Sequence, residues 1–164
     1  MYNSMFVVPI EKRYFEDYVV GSVHEVGSIT IEEKEIIAFA KRFDPQVFHT
    51  DPKGAKKTSF GGLVASGWHT VGLVMRLLVE NYFSKVANLS SPGVDELRWT
   101  KPVRPCDELS IRATVQTARR SQSKPDRGVL GTFIEVMNQR HEMVMTMKIT
   151  SIMFCRETIS GSGL

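Results

Sequence analysis

Phe60-Gly61-Gly62-Leu63-Val64-Ala65-Ser66-Gly67, which runs directly into WHTVGLVMRLLV at residues 68–79, is the stretch that decides the fold. The segment from Trp68 to Val79 is apolar on nearly every face of a helix, and Ser66 is a preferred N-cap residue. A helix with this pattern is normally surrounded by protein. The sequence therefore predicts a long, buried central helix over about Ser66–Ala87.

After this helix the hydrophobic period changes from 3.6 to 2, which is typical of half-buried strands. Strands are predicted over Val94–Trp99, Leu109–Gln116, Val129–Asn138 and from Met143 onward, with a hairpin turn at Asn138–Glu142. In the last strand the apolar parity changes, because Ile152 and Phe154 follow Thr150. This change predicts a β-bulge near Thr150–Ser151.

Before the central helix, residues 14–30 predict an opening loop and a strand. Thr30 and Glu33 form a capping-box pattern, and the helix that follows should end near Phe43, because Pro45 disfavours helical geometry at the residue before it. Asp51-Pro52 predicts a second, short helix of about Pro52–Lys57.

One strand, then helices, then four strands predict an α+β fold with the helices packed on an antiparallel sheet. The chain of 164 residues fits one domain, with a core over about residues 14–155 and a frayed tail at residues 160–164.

Composition excludes several classes of function. The net charge of +3 is spread along the chain, so a basic stripe of the kind that binds nucleic acid is not expected. The longest apolar run, Val71–Val79, contains Arg76 and is shorter than the roughly 20 residues of a membrane span. Cys106 and Cys155 are expected to be free thiols in a reducing compartment, and the protein to be cytoplasmic.

The segment from Phe39 to Asp51 carries the residues best suited to chemistry. Asp44 and His49 lie five positions apart across an irregular loop that Pro45 begins, so a carboxylate and an imidazole could converge on one water. The alternative is structural, because Asp before Pro is a common turn residue and a single His is often only a satisfied polar group.

Asp44-Pro45-Gln46-Val47-Phe48-His49, five further residues and Ala55 resemble a signature of MaoC-like dehydratases and (R)-specific enoyl-CoA hydratases. That signature runs Asp, any residue, Asn, Pro, an aliphatic residue, His, five residues of any kind, then Ala or Ser. The residues 60–67 and the segment Leu97–Pro105 are similar to two further blocks of the family. The resemblance covers about residues 14–154.

The sequence departs from the family pattern at several positions. Gln46 and Val47 replace the Asn and the Pro, and Phe48 replaces the aliphatic residue. Cys106 stands where a Gly usually precedes the Asp matched by Asp107, and Met75 stands where the central helix often carries a polar side chain.

The resemblance implies a hot-dog fold, in which the sheet wraps around the central helix, and a hydro-lyase activity of fatty acid metabolism. Asp44 and His49 would hold the water that adds to a trans-2-enoyl-CoA, giving a (3R)-hydroxyacyl-CoA, and would protonate the α-carbon on the same face. The backbone N–H of Gly67 would bind the thioester oxygen, as helix N-termini can.

The expected partners follow from this reaction. The substrate is an acyl-CoA thioester, coenzyme A belongs to the substrate, and neither a further cofactor nor a metal is expected. The resemblance also implies a homodimer, or a higher even oligomer, with one continuous sheet. Residues expected to bind the substrate are Gln46, Phe48, Phe60, Gly62, Ser66, Arg98 and Arg104.

Two other functions stay open at this point. A hot-dog thioesterase would need a carboxylate on the central helix, where Glu80 is the only acid. A non-catalytic acyl-CoA-binding module would need no dyad. The hydratase accounts for Asp44 and His49, and the other two functions do not.

Overall fold

The computed structural model describes residues 6–156, so the predicted frayed tail at residues 160–164 lies outside the described part. Two single-turn 3₁₀ helices come first, Ile10–Lys12 and Phe15–Asp17. The elements that follow are β1 (Val23–Thr30), α1 (Glu33–Phe43), α2 (Val47–Thr50), α3 (Pro52–Ala55), α4 (Gly67–Asn81), β2 (Asn88–Trp99), β3 (Glu108–Arg120), β4 (Arg127–Met137) and β5 (Met143–Phe154).

The five strands form one antiparallel sheet in the order β1-β3-β4-β5-β2. Alternate residues of β3, β4 and β5 are buried, as their period of two predicted, and they share one hydrophobic core with Val74, Leu77 and Leu78 of α4. The expected α+β hot-dog fold, with the central helix against the sheet, is confirmed. No helix among residues 6–156 is long and apolar enough to cross a bilayer.

The central helix α4 begins where the sequence predicted and ends earlier. Ser66 is its N-cap, and the Ser66 hydroxyl accepts the Trp68 N–H at 3.3 Å. The predicted end at Ala87 is wrong, because the helix ends at Asn81 and residues near the N-terminus of the chain bond to the carbonyl of its C-cap, Tyr82. Nη1 of the buried Arg13 and the hydroxyl of Tyr18 both donate to the Tyr82 carbonyl, at 2.8 and 2.7 Å.

One side of α4 is not covered within the protomer, contrary to the prediction of a helix buried all round. Trp68 and Val79 are 60% and 53% exposed, although Val74 and Leu78 on the opposite side are fully buried. The sheet of one protomer covers a single side of the helix, which leaves apolar surface for another contact.

Each of the two predicted helices before α4 is confirmed at one end, α1 (Glu33–Phe43) at its C-terminus and α3 (Pro52–Ala55) at its N-terminus. α1 ends at Phe43, before Pro45, as expected. The capping box at Thr30 is wrong, because the N-cap is Glu32 and its side chain makes no cap hydrogen bond. α3 begins at Pro52, where Asp51 Oδ1 accepts the Lys53 N–H at 2.9 Å, and it is two residues shorter than predicted.

The predicted bulge near Thr150–Ser151 is confirmed only in part: β5 keeps a continuous register with β4 there, whereas its pairing with β2 shifts between Ser90 and Gly93, opposite Ile152 and Thr150, so the extra residue lies in β2. Ser151 and Met153 continue the buried face, and Ile152 and Phe154 lie on the half-buried opposite face. The pairing of β5 with β4 is irregular at the other end of β5, where Val144 has no partner in the β4 register and its carbonyl accepts the Thr100 N–H at 2.9 Å.

Strand β2 is an exposed edge of the sheet. It begins at Asn88, six residues before the predicted start, and within residues 6–156 it pairs only with β5. All of its residues are exposed except the half-buried Leu97, and the exposed residues include Leu89, Val94 and Trp99. An unpaired edge with apolar side chains is a template for pairing with another strand.

We expect the protein to form a dimer through β2. Light scattering should give a mass near twice the 18.5 kDa of one chain. Val94→Lys should weaken the dimer, because it places a charge on that edge. Thr30→Lys on β1, the opposite edge, is the matched control and should leave the mass unchanged. A stable monomer of the wild-type chain at micromolar concentration would contradict the expectation.

Cys106 adopts a left-handed backbone conformation, with φ of 68°, at the position where the family usually has Gly. Its N–H donates to the Ile31 carbonyl at 2.9 Å, so the turn is held in place. Left-handed geometry costs a residue with a Cβ about 1–2 kcal/mol, a cost that Gly avoids.

Cys106→Gly should therefore have a free energy of unfolding about 1 kcal/mol higher than Cys106→Ala, because only the Gly variant relieves the strain. Urea denaturation of the two variants measures the difference. The comparison isolates the backbone, since both variants lack the exposed thiol. Equal stability, or a less stable Gly variant, would show that the backbone is not strained there.

Candidate active site

The loop after α1 brings Asp44 and His49 together. Pro45 keeps Asp44 out of helical geometry, with φ of −152°, although the Asp44 N–H still donates to the Ala40 carbonyl. The chain then turns into the short helix α2, which carries the buried His49. The turn places His49 Nε2 3.4 Å from Asp44 Oδ2.

The orientation of the His49 ring follows from its other nitrogen. Nδ1 lies 2.7 Å from the Val64 carbonyl oxygen, which can only accept a hydrogen bond, so Nδ1 carries a proton. In the neutral ring, Nε2 is then an acceptor that faces Asp44. Two acceptors side by side suit a shared proton donor such as a water molecule.

The Asp44 carboxylate is held at both oxygens. The Ser66 hydroxyl donates to Oδ2 at 2.7 Å, and Gln46 Nε2 donates to Oδ1 at 2.7 Å. Burial raises the pKa of Asp44, but the hydrogen bonds from Gln46 and Ser66, together with the positive charge of His49 when its ring is protonated, lower this pKa by more, so that it lies below its ordinary value. Asp44 is therefore ionised at neutral pH and can accept a proton.

A cavity of about 300 Å³ lies beside His49. Phe48 and Phe60, with ring centroids 5.0 Å apart, form one apolar wall, as the sequence predicted. The other lining residues are His49, Val64, Ala65, Gly67, Thr70, Trp99, Thr100, Lys101, Pro102 and Val103.

Gly67 is the first residue of α4 and lines the cavity. Within residues 6–156, no hydrogen bond from its N–H is seen, as expected for the first turn of a helix. A Cβ at Gly67 would overlap the Trp99 ring, and Trp99 Nε1 donates to the Gly67 carbonyl at 3.1 Å. Glycine is thus required for the close contact with Trp99.

Residues 17–135 match the model of the MaoC like domain family, which is most of the chain. The chain belongs to the MaoC-like family.

Individual relatives agree with this assignment. A MaoC-like dehydratase from Rhodospirillum rubrum is 38% identical, with a TM-score of 0.81 over 89% of this chain and 99% of that chain. The uncharacterized protein YdeM of Bacillus subtilis is 28% identical over 79% of this chain and 90% of its own length. The 3-hydroxyacyl-thioester dehydratase Z of Mycobacterium tuberculosis is 32% identical over 56% of this chain and 66% of its own length.

The other residues expected at the MaoC-like site lie at different distances from the dyad. Ser66 contacts Asp44 directly. Gly62 lies against the Arg104 guanidinium, whose Nη2 donates to the Phe60 carbonyl at 2.7 Å at the edge of the cavity. Arg98 is exposed, donates to the adjacent Leu97 carbonyl at 3.0 Å and is not among the residues that line the cavity.

Sequence reasoning missed Thr70 and Trp99 as lining residues. Thr70 lies one turn beyond Ser66 on α4, and that helical spacing was a usable signal. Trp99 reaches the cavity only because β2 pairs with β5 and returns to the start of α4, which no local pattern reveals.

His69, which follows Trp68 on α4, is not among the residues that line the cavity. His69 is buried and stacks on Phe39 with ring centroids 4.9 Å apart, and burial lowers its pKa. Among residues 6–156, no group of three His, Cys, Asp or Glu side chains could hold a metal ion. The expectation that no metal or cofactor is needed stays a prediction.

Gly67→Ala should displace the Trp99 ring, because the new methyl group would overlap it. We expect a loss of about 1–3 kcal/mol in the free energy of unfolding and a red shift of tryptophan emission. Gly72→Ala on the same helix is the matched control, since its Cβ would meet no atom within 4 Å. The control should gain about 0.5–1 kcal/mol. Unchanged stability and emission in Gly67→Ala would contradict the packing of Trp99 on Gly67.

Proposed function

We propose that the protein is a hydro-lyase that adds water to a trans-2-enoyl-CoA thioester to give a (3R)-hydroxyacyl-CoA, and that it catalyses the reverse dehydration. The observation that carries this proposal is the pairing of Asp44 Oδ2 with His49 Nε2 at 3.4 Å, beside a cavity that Gly67, the first residue of α4, also lines. A proton acceptor, an imidazole and an oxyanion donor are the groups that this reaction needs.

In this mechanism Asp44 and His49 both bind the attacking water. Asp44 accepts a proton as the water oxygen bonds to C3 of the enoyl group, and the C2–C3 double bond electrons move towards the thioester carbonyl. The Gly67 N–H stabilises the negative charge on the thioester oxygen, with help from the dipole of α4. The dyad then returns a proton to C2, so water has been added across the double bond from one face.

The thioester class of the substrate is supported by the cavity and by the relatives. Phe48 and Phe60 supply an apolar wall for an acyl chain, and ligand pockets are commonly lined in this way. In this proposal Arg104, whose Nη2 donates to the carbonyl of the lining residue Phe60, binds a phosphate of coenzyme A. One relative carries the name 3-hydroxyacyl-thioester dehydratase, and the proposed reaction is the hydration that reverses such a dehydration.

The position of Glu80 argues against a thioesterase. Glu80 lies thirteen residues after Gly67 on α4, which corresponds to about 20 Å of helix, and it is exposed and paired with Arg76. A carboxylate at that distance cannot act on a thioester bound at Gly67. A non-catalytic binding module would leave the hydrogen-bonded dyad without a role.

Asp44→Asn and His49→Gln should each reduce the hydration of crotonyl-CoA by about 10²–10⁴-fold, because each removes a group that carries a proton. The double variant should be little slower than either single one, since both residues act on one water. The measurement is the loss of enoyl absorbance, with circular dichroism as the control for folding.

Each alternative has its own signature in the same assay. Release of free thiol from the acyl-CoA by the wild-type protein would identify a thioesterase, and binding without turnover would identify a binding module. Full activity in either single variant would remove that residue from the mechanism. Multiplicative losses in the double variant would mean that Asp44 and His49 act on separate steps.

A further inference from the structure

Gln46 lies between the two members of the dyad in the chain and bonds to both. Its Nε2 donates to Asp44 Oδ1 at 2.7 Å, and its backbone N–H donates to the Asp44 carbonyl at 2.7 Å. Its own carbonyl accepts the His49 N–H at 2.9 Å. Three hydrogen bonds therefore connect Asp44 and His49 through one residue.

The sequence suggested that the Gln46 side chain binds the substrate, but its amide faces the Asp44 carboxylate. It is exposed, and it is not among the residues that line the cavity. Because a carboxylate only accepts hydrogen bonds, the donor end of the amide faces Asp44. The family signature has Asn at this position, so the reach of the longer Gln side chain is a property of this chain.

The two oxygens of Asp44 are held from opposite elements. Gln46, the N-cap of α2, holds Oδ1, and Ser66, the N-cap of α4, holds Oδ2. A carboxylate held at one oxygen can still rotate about that bond, whereas one held at both has a fixed plane. The fixed plane keeps Oδ2 at 3.4 Å from His49 Nε2.

We infer that Gln46 is a positioning residue that fixes the plane of the Asp44 carboxylate against His49, and that it does not contact the substrate. The kinetic part of this inference rests on the proposed hydration, in which Asp44 accepts a proton from water. The geometric part does not, since it concerns only the orientation and ionisation of Asp44.

The groups around Asp44 allow the effect of Gln46 to be isolated. Ser66 from α4 is neutral, and His49 from α2 is the titratable group within ion-pairing distance among residues 6–156. The hydrogen bond from Gln46 lowers the pKa of Asp44, so its loss should raise that pKa. Since Asp44 acts when ionised, activity is lost as pH falls through this pKa, and a higher pKa moves the loss to higher pH.

The test compares Gln46→Met, which keeps the length of the side chain and removes its donor, with Gln46→Glu, which adds a second carboxylate. Gln139→Met is the matched control, because Gln139 Nε2 donates to Asp107 Oδ1 at 2.9 Å, a glutamine–aspartate pair in the turn after β4. Two quantities are measured for each variant. One is kcat/KM for crotonyl-CoA against pH, and the other is the pH titration of the Asp44 carboxyl carbon by NMR, assigned with Asp44→Asn.

Gln46→Met should lower kcat/KM at neutral pH by about tenfold, the order expected for one hydrogen bond to a charged group. The acid limb and the Asp44 titration should both move to higher pH. Gln46→Glu should move them further, because two adjacent carboxylates cannot both ionise easily. Gln139→Met should leave both curves unchanged.

An Asp44 titration that is unchanged in folded Gln46→Met and Gln46→Glu overturns the inference, whether or not the protein hydrates enoyl-CoA. A lower rate without a shifted acid limb also overturns it, because a merely structural role would give that result. If the wild-type protein has no hydratase activity, the proposed function fails, and the NMR titration alone still decides the role of Gln46.

Discussion

The hydroxyl of Ser66 joins the central helix to the carboxylate on which the candidate chemistry depends. It accepts the Trp68 N–H at the start of α4 and donates to Asp44 Oδ2. Ser66 itself is fully buried, and both bonds are partly buried. The next residue is Gly67, which lines the cavity. One side chain therefore sets the distance between the group that would take a proton and the group that would stabilise an oxyanion.

The opposite end of the same helix is fixed by a different means. Arg13 is buried, and among the described residues it has no carboxylate partner; its guanidinium bonds to the carbonyls of Val8, Asn81 and Tyr82. Unpaired carbonyls at a helix C-terminus carry partial negative charge, which stabilises such a cation. α4 is thus held at both ends, and its N-terminal end stays in register with the dyad.

Local sequence patterns predicted the parts of the structure that depend on neighbouring residues. Pro45 predicted the end of α1, Ser66 the start of α4, and alternation the strands β3 to β5. The end of α4 could not be predicted, because it depends on Arg13 and Tyr18, which are distant in sequence. Ile152 and Phe154 suggested a bulge because their half-buried face of the sheet also accepts apolar side chains. The sequence predicted that the loop of Asp44 and His49 belongs to the site. It could not predict that Trp99 lines the cavity, because that depends on the long-range pairing of β2 with β5.

The tautomer of His49 is set by the backbone of Val64 and not by a side chain. The Val64 carbonyl accepts a hydrogen bond from the protonated Nδ1 of His49, and the Val64 N–H donates to the Phe48 carbonyl at 3.0 Å. A substitution that changes only the Val64 side chain leaves this carbonyl in place. A substitution at position 64 can therefore reshape this wall of the cavity without changing which imidazole nitrogen of His49 faces Asp44.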